Sequence, residues 1–430
     1  TYIPRGDAQG ERDITVNNGV FVVAFAVDTA PPWGVARGGI IDIALLDGDS
    51  VGFDIASLAD FLPNSWTNWP STYQRVVVAE QTAEEVLIEV ERDWGVVELR
   101  TSYRIRSNDS IIHTVTVMRN AGDDVLETIK SGYVVWPDGG AMFGIPGLYG
   151  VNASSEEAAL ADWTAAYGED WVLALHAPYA TIVEYDGQDR YLEHELGPGA
   201  SRTFEGWLQI AGEGSLAPVV AAEIALTGVP HGELFGEVST RDKQAIERPA
   251  VIAFRNGQPF AFTIGSGGSY SMALPAGDYE VFATAKGHSQ GERRLLAVTN
   301  GSKSKVDFSD VDAPAVVHFQ VSDADSGEPL DARVTIEEGP MPLISHYGTR
   351  TLFTELHKIG EVTSGFAPGN YVFSVSSASG FESVPQLVER KLEPGSSNVF
   401  DIRIETLSSP RDEGWYSAEL HHNSDVLDGN

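Results

Sequence analysis

The residues best equipped for chemistry lie at the end of the 430-residue chain, from Gly414-Trp-Tyr through Glu419-Leu-His-His-Asn-Ser-Asp to Asn430. Read as a strand, alternate residues project to one face, so Glu419, His421 and Asn423 stand together while His422 points away. His421 suits a divalent metal, zinc or manganese, whose bound water would ionise more easily and supply a hydroxide for hydrolysis. Glu419 and Asn423 are the further candidate ligands, although an asparagine carbonyl favours hard ions over zinc. Three or four ligands must converge on such an ion, so one strand does not complete a site.

A second chemistry is suggested by Pro63-Asn-Ser-Trp66-Thr-Asn-Trp69-Pro-Ser-Thr-Tyr73-Gln-Arg75. Rings such as Trp66, Trp69 and Tyr73 stack on pyranose faces while amides and Arg75 bond hydroxyls. Trp136, in Tyr133-Val-Val-Trp136-Pro-Asp138, is placed to line the same cleft. The competing reading is that these rings plug the end of a large sandwich. A third cluster holds Glu184, Asp186, Tyr191, Glu193, His194 and Glu195, where Glu and His could act as acid and base. His194 between two glutamates is expected to have a raised pKa. A charge-alternating strand gives the same pattern without function. Asp323-Ala-Asp-Ser-Gly-Glu328 lacks full calcium-loop spacing and reads as a hairpin turn. Gly-x-Ser-x-Gly, His-Glu-x-x-His and P-loop motifs are absent from the sequence.

These residues need a scaffold, and composition points to a β-rich one. The chain is 42% hydrophobic and 21% charged, with 44 Gly and 22 Pro among short Val/Ile/Tyr/Phe runs, which is folded, mainly β protein. A net charge of −34 argues against nucleic-acid and anionic-membrane partners. There is no cysteine, which excludes disulfides, thiolate ligands and a Cys nucleophile. No apolar run is long enough for a membrane span. A start at Thr1 suggests a processed N-terminus, and the expected location is secreted or periplasmic.

Residues 1–226 read as a large two-sheet β-sandwich. Strand patterns fall at Val20–Val27, Ile40–Leu46, Arg75–Ala79, Val86–Val90, Val96–Ile105 and Ile111–Val117, with helical periods at Asp54–Phe61 and Ser155–Ala166. Leu196-Gly-Pro-Gly-Ala-Ser reads as a turn before a closing strand. The next two segments are a repeat. Leu274-Pro-Ala-Gly-Asp-Tyr matches Phe366-Ala-Pro-Gly-Asn-Tyr, with Gly277 and Gly369 separated by 92 residues (369 − 277). Two small sandwiches over 228–312 and 313–406 follow from it. Residues 407–430 are a linker and a further first strand.

The Ala-Gly-Asp-Tyr and Pro-Gly-Asn-Tyr turns, with Gly327-Glu-Pro-Leu-Asp-Ala-Arg-Val, resemble carboxypeptidase-regulatory-like (transthyretin-like) modules. Residues 1–226 resemble the supersandwich of galactose-mutarotase-like and polysaccharide-lyase proteins. Leu420-His421-His422-Asn423-Ser424, after Gly414-Trp-Tyr, resembles the opening motif of polymerase-and-histidinol-phosphatase (PHP) domains, closest to the CehA/McbA-type metallohydrolases. Glu419 stands where that motif has Asp, and Asn423 where it has the second His. The resemblance implies the non-catalytic N-terminal region of an exported metal-dependent hydrolase. It implies a carbohydrate-linked or small ester-type extracellular substrate, with the metal held mainly by ligands beyond Asn430. The alternatives are a carbohydrate-binding or cell-surface module without catalysis, and a supersandwich lyase or epimerase using Glu193 and His194.

Overall fold

Among the described residues, nearly every apolar run forms a strand. The computed structural model describes residues 1–67, 72–144, 148–149, 162–354, 358–377, 382–408 and 414. The side chains of 72–74, 144, 148–149 and 382 fall outside that description. The protein is mainly β, built from several largely antiparallel sheets. The chain divides into two compact units, Thr1–Val229 with Phe254–Ala261, and Pro230–Ala253 with Phe262–Asn430.

In the first unit the described residues form an eight-stranded and a nine-stranded sheet. The six expected strands are present, for example Phe21–Phe25, Ile40–Asp47 and Glu85–Trp94. Both sheets feed one apolar core. Phe25, Ile40, Phe61 and Tyr133 come from the first, and Ile88, Leu99, Phe204 and Leu208 from the second. The eight-stranded sheet is covered on its other face too, where Ile41, Leu58, Leu62, Val134 and Tyr191 pack with Trp66 and Trp136.

That double burial explains two corrections. Asp54–Phe61, expected as a helix, is largely the strand Ala56–Leu62, of which only Ser57 is not fully buried. A strand buried on both faces loses its period of two, and apolar residues at Ile55, Leu58, Ala59 and Leu62 then imitate helical spacing. The other expected helix, 155–166, ends in the strand Trp163–Tyr167, again buried throughout; residues 155–161 lie outside the described residues. An unexpected helix spans Ala217–Thr227, buries Val219, Val220 and Ile224, and ends on Gly228 with φ 67°. Its weak periodicity hid it, but the C-terminal glycine is a legible stop signal.

An Arg–Asp ion pair is buried inside the first unit. Arg92 donates to both carboxylate oxygens of Asp60, one at 2.7 Å, and the Tyr103 hydroxyl donates to Asp60 at 3.3 Å. Asp60 lies on the eight-stranded sheet and Arg92 on the nine-stranded one. Burial opposes the guanidinium charge, but Asp60 outweighs it and holds the Arg92 pKa above its ordinary value.

Asp54 is a half-buried carboxyl, accepting from the backbone N–H groups of Ile43 (2.8 Å) and Ala56 (3.2 Å). Burial first, then the charge of Asp42, push its pKa up to about 8 against those hydrogen bonds. A carboxyl raised on folding binds protons more tightly in the native state, so stability falls as pH rises from about 4 to about 8. Asp54→Asn keeps a carbonyl acceptor and is expected to flatten this loss, measured as urea midpoints at pH 5 and pH 8.

The repeat is visible in the second unit as repeated topology. In its first half, His231–Thr240 pairs antiparallel with Ser269–Pro275 and parallel with Lys303–Lys305 and Phe308–Val311. In its second half, Ala315–Asp323 pairs antiparallel with Glu361–Phe366 and parallel with Ser397–Ile404. Gly277 and Gly369 open equivalent strands with nearly equal φ, 157° and 158°. At Gly369 a Cβ would lie 2.5 Å from Pro340 Cγ, so the turn admits no side chain. Asp323–Glu328 is a turn, as expected: Asp323 Oδ1 accepts from the N–H groups of Asp325 and Ser326, and the Asp323 N–H bonds the Glu328 carbonyl.

Candidate functional site

Trp66 follows the strand Ala56–Leu62 in a loop tied to the neighbouring strand Leu126–Pro137. The Ser65 N–H donates to the Lys130 carbonyl at 2.7 Å, and the Ser131 hydroxyl to the Pro63 carbonyl at 2.6 Å. Trp136 lies near the end of Leu126–Pro137, and Asp189 and Tyr191 lie on the next strand, Asp189–Leu196. These strands approach closely because residue 132 is glycine; a Cβ there would sit 1.9 Å from the Arg190 carbonyl oxygen.

Asp189 organises the cluster. It is fully buried and accepts three side-chain hydrogen bonds: Trp66 Nε1 at 2.6 Å, Trp136 Nε1 at 2.8 Å and the Tyr191 hydroxyl at 2.8 Å. Burial raises its pKa and these donors lower it, and the balance is about 6. Tyr191 is pushed well above its ordinary value by burial and by the Asp189 charge.

Two further rings complete an aromatic patch. Trp33 stands 4.9 Å from Trp136 and 5.9 Å from Trp66, Trp66 and Trp136 are 5.6 Å apart, and Tyr185 is 5.4 Å from Trp136. Trp33 and Tyr185 are 57% and 53% exposed. Both have left-handed backbone, φ 54° and 50°, a conformation that costs a bulky residue on the order of 1 kcal/mol. Neither recovers that cost by burying its ring. Beside them the Lys130 ammonium donates to Glu184 at 2.7 Å.

The expected site residues separate into three groups. Trp66 and Trp136 are brought together. Arg75 lies on the strand Thr72–Gln81 at the border of the nine-stranded sheet, 3.9 Å from Glu91, and no described contact joins it to the tryptophans. Trp69, the Tyr73 side chain, and Glu419, His421 and Asn423 lie outside the described residues.

The acid–base cluster does not assemble as its sequence suggests. Glu193 and Glu195 are exposed while His194 is buried between them, because adjacent strand residues face opposite ways. His194 Nε2 is 2.9 Å from Ser131 Oγ. The expectation of a raised His194 pKa is corrected. Burial lowers it, outweighing the hydrogen bond to the Glu195 carbonyl, and Arg202 lowers it further.

Trp33 and Asp189 are not singled out by the sequence, and Tyr185 stands there only as the residue between Glu184 and Asp186. The available signal was Pro31-Pro32-Trp33-Gly34, a turn that displays a tryptophan. Asp189 gave none, since its two indole partners lie 123 and 53 residues away in sequence.

No family model and no curated protein matches the sequence. Among solved structures, the chain is similar to the TIE protein of Bacillus anthracis at 10% identity and TM-score 0.20, covering 81% of this chain and 58% of that one. It is similar to the GH36 α-galactosidase AgaB of Geobacillus stearothermophilus at 12% identity and TM-score 0.33, covering 50% and 41%. A galactose mutarotase related enzyme from Lactobacillus acidophilus aligns at 9% identity and TM-score 0.28, over 47% of this chain and 98% of that one. Likenesses at such scores carry no inference about function.

Proposed function

We propose that the first unit is a carbohydrate-binding module whose ligand stacks on Trp33, Trp136 and Tyr185. The observation that carries this reading is the pair of exposed rings, each held in left-handed backbone against Trp136. Packing alone does not account for strained, half-exposed aromatics, whereas flat apolar sugar faces need such platforms. Asp189 holds the indoles of Trp66 and Trp136 at fixed angles, which lowers the ordering cost of binding. Glycan-array binding by the full chain tests the reading. A hit that disappears in Trp33→Ala supports it, and binding that persists in Trp33→Ala and in Tyr185→Ala contradicts it.

The tail favours a second, compatible reading. Leu420-His421-His422-Asn423-Ser424 supports a place for this chain as the non-catalytic region of an exported PHP-type hydrolase, secreted or periplasmic. Its zinc or manganese would take His421, with Glu419 and Asn423 as further candidates. Metal analysis of a longer chain tests this: a metal-free protein after growth in zinc and manganese sinks it.

A further inference from the structure

The second unit contains a cavity of about 210 Å³ between its two repeats. Phe282 and His288 enter its wall from the first repeat, and Phe366, Tyr371, Tyr347 and Met341 from the second. A dry cavity of about 150 Å³ holds benzene, whereas pockets for drug-sized ligands run from about 300 Å³ upward. The volume therefore suits one ring or a fused pair.

The polar groups on the wall narrow the ligand further. The Tyr371 hydroxyl donates to the Ala367 carbonyl at 2.9 Å and that of Tyr347 to the Arg248 carbonyl at 3.4 Å, so both protons are committed. His288 donates from Nδ1 to the Lys286 carbonyl at 3.0 Å. Burial lowers its pKa against that hydrogen bond, which favours the neutral ring. In a neutral imidazole whose Nδ1 carries the proton, Nε2 is an acceptor. No described residue donates to it.

We propose that this cavity binds a small aromatic molecule with one hydrogen-bond donor, a phenol or an indole, whose donor meets His288 Nε2. The ring packs among Phe282, Phe366 and Tyr371, and the thioether of Met341 adapts to its outline.

The test is ligand-observed NMR and calorimetry on the full chain with p-cresol, indole and toluene. Sub-millimolar p-cresol and indole binding is expected, with toluene about fivefold to tenfold weaker for want of one hydrogen bond. His288→Phe keeps a ring but removes the acceptor, and should erase the preference for p-cresol over toluene. His288→Gln restores an acceptor and should recover part of it. Met341→Trp at the mouth should block all three ligands. Circular dichroism confirms that each variant is folded. Equal binding of p-cresol and toluene to the native chain, or no binding of any probe, overturns the proposal.

Discussion

Asp60→Ala is expected to cost about 3–5 kcal/mol of stability, because it strands the Arg92 guanidinium in the buried core. Arg92 and Asp60 are almost fully buried and joined by two hydrogen bonds, with Tyr103 as a third member. The penalty belongs to the unpaired charge rather than to the pair. Asp60→Leu combined with Arg92→Met should therefore recover most of it, because apolar groups of similar size often replace a buried pair without loss. Urea denaturation of the single and double variants measures the difference. A double variant as unstable as Asp60→Ala would show that the pair itself, and not the uncompensated charge, supplies the stability.

The second large effect is expected at Asp189. Asp189→Asn replaces one acceptor oxygen by an NH2 group that faces an indole N–H, so either Trp66 or Trp136 is left with a donor against a donor. A buried donor without a partner costs about 1–3 kcal/mol. We expect carbohydrate affinity to fall by tenfold or more as the rings reorient.

The same network makes a pH prediction. The Asp189 pKa is raised to about 6, so the native state holds this proton more tightly than the unfolded chain. Its contribution to stability is therefore largest below about pH 4, falls as pH rises to about 6, and is flat above. Site geometry runs the other way, since only the carboxylate is a pure acceptor for all three donors. Tryptophan fluorescence and glycan affinity should both change with a midpoint near pH 6 in the native protein. Neither should do so in Asp189→Asn. A flat fluorescence profile between pH 4.5 and 8 in the native protein contradicts the assignment.

Strand-rich architecture and the repeat were legible in the sequence for a physical reason. One-sided strands such as Val97–Arg106 alternate buried and outward residues strictly. The Gly277 and Gly369 turns impose one backbone solution on both repeats. What misled was burial on both faces, which erased the alternation at Ala56–Leu62 and Trp163–Tyr167.

The site was half legible. Trp66 and Trp136 announce themselves as aromatic residues in polar, turn-rich surroundings. Asp189 acts through Trp66 and Trp136, 123 and 53 residues away, and sequence spacing does not report that convergence. His194 shows the converse error: residues adjacent in sequence face opposite sides of a strand, so the flanking glutamates point away from its ring.

Isothermal titration of an array-identified oligosaccharide into the native chain and the Trp33→Ala/Tyr185→Ala double variant tests whether these rings form the sugar platform. Both rings are more than half exposed and outside the buried core, so the variant should keep its circular dichroism spectrum and melting temperature. Its affinity should fall at least about thirtyfold, from about 1–3 kcal/mol for each stacking ring lost. Unchanged affinity in a folded double variant would contradict it.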